Sequence, residues 1–392
     1  MKKILILGAG EWQVAYIKKA KELGLYVYAT DWSENPVGKV FADEFKTIDV
    51  QNKEKSLDYA LENNIDAIFT NSDVAVQTAA YIAEKMSLPC YSTKQAEIAT
   101  NKYEMRKALQ SIGLPTPKFI LCNSIDETFD AFKTLNSKII IKPIDNCGSR
   151  GVYIVDNEDY LKEVCADTFA NSFSGKILVE EFMIGNESSV EVLLDNGKIY
   201  ILGWCRKQKS PYPYRYDIQL DYFPDNSAKE NLMVSEMVNQ LVQGLKLENG
   251  ILHIEFMWTD DELRIIEFAL RGCGSNVITH LMPEIRGFDI MKFLLYKSLG
   301  VDNPINFINN AYGTLKFIIP SPGVVKNVEG LVDIKNLDYI IDFSCDIKNG
   351  DYIDIIKNGR NRPGYYIIKG ESREDISKKI ENIENIINIQ YS

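Results

Sequence analysis

Residues 3–7 read KILIL, and this apolar run stops at Gly8-Ala9-Gly10 before an amphipathic stretch that continues to Leu23. The pattern is strand, glycine turn, helix. A second strand over 26–30 ends at Asp31, and a third over 66–70 closes on Asn71-Ser72-Asp73 and leads into a helix over 74–85. Strands and helices alternating at this length specify a parallel sheet with right-handed crossovers, which takes up about the first hundred residues. The turn reads Gly8-x-Gly10-x-x-Gln13, so the third glycine of a dinucleotide fingerprint is absent. A cofactor turn and a turn that holds no nucleotide both stay open, and the glycines still admit a carboxylate or phosphate at the helix N-terminus.

The texture changes at Thr100. A helix over 102–111 is followed by GLPTP and by strands over 138–142, 151–155, 177–181, 188–194 and 199–204. A long helix then carries Val234, Met237, Val238, Leu241 and Leu245 at helical spacing, as expected of a helix covering a sheet. Beyond about residue 306 come short β-runs, turn dipeptides such as Asn349-Gly350 and Asn358-Gly359, and a closing helix over 371–387. We read three domains: 1–98; 99–305, with a small lid over about 118–180; and an α+β domain over 306–392. The fold class is mixed α/β and α+β.

Composition narrows the chemistry. The 392 residues carry 44 Lys and Arg against 55 Asp and Glu, a net charge of -11. That balance opposes non-specific binding to nucleic acid or anionic lipid, so we expect neither as a partner. The seven scattered cysteines show no Cys-x-x-Cys spacing, and no segment approaches the length of a membrane span. A cytoplasmic protein is expected. With only His253 and His280, histidine-rich zinc sites are excluded, and the chemistry must rest on carboxylates, lysines and backbone.

Three segments can carry it. IIIKPIDNCGSRGV (139–152) runs from an apolar strand through Lys142 into a loop of small residues whose backbone N–H groups can close over phosphates. LVEEFMIGNESSVEVLL (178–194) places Glu180 and Glu181 at a strand end, with Glu187 and Glu191 flanking the next strand. LHIEFMWTDDELRIIEFALRGCGS (252–275) is two strands about a tight turn. Alternation puts His253 and Glu255 on one face of the first strand, and Ile265, Glu267, Ala269 and Arg271 on one face of the second. If the strands pair, Glu255 and Glu267 approach each other, and two such carboxylates call for an oxygen-liganded cation between them.

Together these segments resemble the ATP-grasp superfamily, and the resemblance spans most of the chain. The order matches: a Rossmann-like N-domain, Lys102 in TNKYEMRKAL, Lys142 with its glycine loop, the EEFM segment and two downstream glutamates. The C-terminal stretch with RPGYY (362–366) is similar to that of the L-amino acid ligases. D-alanine--D-alanine ligase, biotin carboxylase and the large chain of carbamoyl phosphate synthase are more distant likenesses.

The resemblance implies roles. Lys102 and Lys142 would contact the α- and β-phosphates of ATP, and Gly148, Ser149 and Gly151 would form the lid loop. Glu180, Glu181, Phe182 and Met183 would form the adenine hinge, and Glu187 would hold the ribose. Glu255 and Glu267 would bind Mg2+ or Mn2+, two ions in all. Arg271, Lys142 and Arg150 would serve catalysis, Arg271 by steadying an acyl phosphate. Many relatives carry Glu-x-Asn-x-Arg where this chain has Glu267-Phe268-Ala269-Leu270-Arg271, so one metal ligand is missing or replaced by water.

The implied activity is ATP-dependent ligation of a small carboxylate to an amine through an acyl phosphate, with a homodimer the common assembly. Carboxylation through carboxyphosphate and a degenerate ATP-binding module are the alternatives. His253 is read either as touching substrate or a glutamate, or as a satisfied strand residue. Arg206, Lys207 and Lys209 are read as able to reach the γ-phosphate from a flexible loop, at least one of them being a solvated charge. Cys147 and Cys273 are read as small-residue packing.

Overall fold

The computed structural model describes residues 1–392 except 147, 149, 213 and 261. Its N-terminal sheet is fully parallel, with strands ordered Glu44–Thr47, Tyr26–Asp31, Lys3–Leu7, Ala67–Phe69. The KILIL side chains from Ile4 onward are sealed from solvent, as the unbroken apolar run requires of a strand covered on both faces. The glycine turn is occupied by the protein itself. Gln13 packs against Gly8 and donates to Asn71 (2.7 Å), and Ala9 N–H donates to Asp31 (2.9 Å). Asp31 therefore fixes the turn.

A second sheet lies in the segment read from the sequence as a lid: Phe119–Cys122, Ile177–Glu181, Ile139–Pro143 and Tyr153–Val155, all antiparallel. Helices Ile125–Leu135 and Glu158–Ala170 cover it, giving the lid its own core around Ile139, Ile141, Val155, Leu161 and Val179.

The largest sheet has eight strands, ordered Leu263–Ala269, Gly250–Trp258, Asn186–Asp195, Lys198–Lys209, Asp217–Tyr222, Tyr312–Phe317, Gly364–Gly370, Ile340–Cys345. Helix Ala228–Leu245, opened by a Ser227–Glu230 capping box, buries Val234, Met237, Val238 and Leu241 against it. The sheet runs without a break past residue 305, so strands from the C-terminal stretch stand in the same layer as those of the central domain. On its far side Leu295 of helix Ile290–Ser298 packs with Ile4 and Ile6, tying the N-terminal sheet to the rest. Among the described residues no helix is long and apolar enough to cross a membrane.

Candidate active site

The cleft between lid and main sheet is built on charge, and its deepest layer is fully buried. Asn101 caps helix Lys102–Ser111 by accepting from Tyr103 and Glu104 N–H, which sets Lys102 at the first turn and Arg106 one turn on. Arg106 donates to Glu180 through Nε (2.6 Å) and Nη2 (3.3 Å), and Lys142 reaches the same carboxylate at 2.6 Å. Glu180 thus points inward, away from the hinge position at its strand end. Burial alone would push its carboxyl up, but Arg106 and Lys142 outweigh it and hold it at about 2. Burial pushes the Lys142 ammonium down to about 8; Glu180 opposes this, while Arg106 and Lys102 add like-charge repulsion.

Arg106 also bears on how Glu255 pairs with Glu267. From the turn, Trp258 pairs with Leu263, Met257 with Arg264 and Phe256 with Ile265; the next pair is Glu255 with Glu267. A bulge at Ile266 inserts one residue, and the Ile266 carbonyl accepts from Arg106 Nη2 at 2.6 Å. Continued regularly, the register beside the turn would set Glu255 against Ile266, with Glu267 on the opposite face. The bulge corrects the expected face as well: Ile265 joins Phe268 in the core instead of standing beside Glu267.

The middle layer alternates acid and base. Glu187 Oε1 accepts from Lys207 (3.0 Å) and Lys209 (2.7 Å), Lys207 also donates to Glu255 (2.6 Å), and Lys209 pairs with Asp217 (3.0 Å). His253 bridges Glu191 (2.5 Å from Nδ1) and Glu255 (3.2 Å from Nε2). Burial disfavours its cation, but the two carboxylates prevail and raise its pKa to about 9, so both nitrogens donate. Glu255 is accordingly held well below the usual carboxylate range, burial being outweighed by Lys207 and His253.

Lys207 and Lys209 lie on a strand, where the sequence suggested a flexible loop, and their side chains are largely enclosed. Arg206 is the solvated member, paired with Glu230. The Cys273 thiol is kept protonated by burial and by Glu191, in keeping with a packing role.

The outer layer is more open. Glu267 is about half exposed and lies 3.9 Å from Lys102, whose ammonium also donates to the Asn146 carbonyl (2.7 Å). Arg271 grips Asp73 of the N-terminal domain with Nε (2.7 Å) and Nη2 (2.5 Å). At the hinge, Glu181 pairs with Arg264 (2.9 Å), Met183 is buried, and the Phe182 ring meets Tyr212 edge-on with Lys138 over both. In the lid loop, Gly148 and Gly151 adopt φ of +69° and +67°, and a methyl group on Gly151 would stand 2.8 Å from Asn171. Arg150 is on the loop surface, and Ser149 and Cys147 lie outside the described residues.

Sequence reasoning gives no role to Arg106 or to Arg362. The only available signal for Arg106 is an arginine on the inner face of the helix that begins at Lys102.

Residues 135–280 match the ATP-grasp domain family. Within these residues the chain carries an ATP-grasp domain. Residues 316–392 match L-amino acid ligase C-terminal domain 2. It is similar to phosphoribosylamine--glycine ligase of Lactococcus lactis, at 22% identity over 98% of this chain and 96% of the relative. Formate-dependent phosphoribosylglycinamide formyltransferase of Francisella tularensis is 23% identical over 74% and 75% of the two chains. In fold it resembles the L-amino acid ligase of Bacillus licheniformis, with a TM-score of 0.82, 20% identity and coverage of 100% and 99%.

Proposed function

We propose that this enzyme joins the carboxylate of an amino acid-like acid to an amine, through an acyl phosphate formed as ATP is consumed. The observation that carries the reading is the Glu255–Glu267 pair, set face to face by the Arg106-held bulge, within one cleft with Lys102 and Lys142. The domain organisation we propose is 1–98, 99–305 with its lid over about 118–180, and 306–392.

Lys102 and Lys142 would bind the α- and β-phosphates, with Gly148, Ser149 and Gly151 closing over them. Segment 181–183 would take the adenine, while Glu180 sets the Lys142 ammonium from below. Glu187 uses Oε1 for both lysines, which leaves Oε2 for the ribose hydroxyls. Glu255 and Glu267 offer only carboxylate oxygens, a donor set that fits a hard divalent cation such as Mg2+. A bound cation there would neutralise charge on the β- and γ-phosphates. Ala269, opposite His253, adds no oxygen, so this side chain set fits one ion better than two.

The substrate carboxylate would attack the γ-phosphorus in line, forming a C–O–P linkage as the bond to ADP breaks. The amine would then attack the acyl carbon, lose a proton and expel phosphate. Lid closure keeps water from the acyl phosphate.

ADP release measured with paired amino acids and with bicarbonate, with mass spectrometry of the products, tests this. Amino acid-dependent ADP and a condensed product are expected. Strict bicarbonate dependence would replace the reading with carboxylation, and Mg-ATP binding with no turnover would leave a degenerate module.

A further inference from the structure

The C-terminal segment 358–365 touches three walls of the cleft. A methyl group on Gly148 of the lid loop would lie 3.3 Å from Arg360 Nη2. Arg362 Nη1 donates to the Asp217 carbonyl (2.8 Å) on the strand that follows Lys209. Tyr365 OH bonds Asn276 and Asp342, both at 2.7 Å, and Asn276 lies in the loop that follows Arg271.

Arg362 is in the middle of this segment. Its Nε donates to the Gly359 carbonyl at 2.7 Å, and its guanidinium carbon lies 3.3 Å from the Phe317 ring centroid. The guanidinium is therefore fixed in orientation by two carbonyls and an aromatic face. Among the described residues no carboxylate forms an ion pair with it. Burial lowers its pKa, and Asp217 and Cys273 lie near enough to act on it.

A partly desolvated guanidinium without a counter-ion is an unfinished interaction, completed when an oxyanion binds. Arg271, by contrast, closes its fork on Asp73. We infer that Arg362 is an oxyanion-binding residue of the active site and holds the substrate carboxylate while it becomes an acyl phosphate. This rests on the ligase reading above and gives the C-terminal domain a direct part in substrate binding.

Arg362→Met keeps a side chain long enough to cover Phe317 and removes the charge; Arg362→Lys keeps the charge without the fork. ADP release is measured while ATP and the carboxylate-supplying amino acid are varied separately. In Arg362→Met, KM for that amino acid should rise at least about tenfold while KM for ATP changes by less than about twofold; Arg362→Lys should recover part of the loss. An unchanged amino acid KM, or an equal rise in KM for ATP, overturns the assignment.

A second measurement needs no turnover. With Mg2+ and a non-hydrolysable ATP analogue bound, inorganic phosphate should raise the Tm of the wild type and not that of Arg362→Met. Equal rises, or none in either protein, overturn the oxyanion site. If no amino acid supports ADP release, the ligase reading falls, and the phosphate result still decides the fate of Arg362.

Discussion

The floor of the cleft and its rim handle charge in opposite ways. On the floor, Arg106, Glu180 and Lys142 are sealed from water, and each charge meets an opposite one at 2.6 Å. At the rim, Glu267 is about half exposed with one lysine at 3.9 Å, and Arg362 has carbonyls and a ring where a carboxylate would neutralise it. Removing one partner from a buried, ion-paired network leaves an uncompensated charge, whereas rim charges are free to be satisfied by a ligand. On the proposed reading labour is divided accordingly: the floor sustains the fold and aims its neighbours, while the rim binds the ligands.

Glu267→Gln puts this division under the greatest stress. Turnover should fall by at least about 10²-fold, with stability in urea unfolding changed by no more than about 0.5 kcal/mol. A large stability loss would move Glu267 to the floor class. Next, Arg106→Ala should cost about 3–5 kcal/mol in urea unfolding, because Glu180 loses its main partner and the Ile266 carbonyl its donor. A cost under about 1 kcal/mol would show that the floor is not structural.

Lys142 belongs to the floor yet is proposed to contact ATP, and pH separates its two duties. Its folded pKa of about 8 means the free enzyme loses this charge as pH rises through 8. Bound phosphates favour the charged form, so ATP binding takes up a proton above that pH and affinity falls. ATP titrations from pH 7 to 9 should show the decline, and Lys142→Arg should flatten it. The mildest change is expected of Ala269→Asn, which supplies an oxygen at the rim. Mg2+ dependence of turnover should shift to lower concentration by no more than about tenfold, and a shift to higher concentration would contradict the vacancy read at this position.

Much of this architecture is legible in the amino-acid sequence. KILIL-Gly-Ala-Gly, strand 177–181 and helix 102–111 announce themselves through apolar runs and spacing, and the lysine-then-glutamate order points to the superfamily. The approach of Glu255 to Glu267 is legible too, but as part of a regular hairpin. Their actual pairing depends on an extra residue at Ile266, and nothing in RIIEFA marks which residue bulges. Arg362 stands in the sequence only as one letter of RPGYY, with no sign that it enters the cleft.

Side-chain direction repeats over two residues in a strand and 3.6 in a helix, so the sequence alone sets which residues share a strand face or a helix turn. It also sets the order of the segments that carry chemistry. Which distant charges meet is settled only in the folded chain: Glu180 turned inward to Arg106, Arg271 bound to Asp73, and Arg362 held by carbonyls and a ring with no carboxylate paired to it. Coulomb energy and desolvation depend on distance and burial in space, and periodicity along a chain encodes neither across such long stretches of intervening residues.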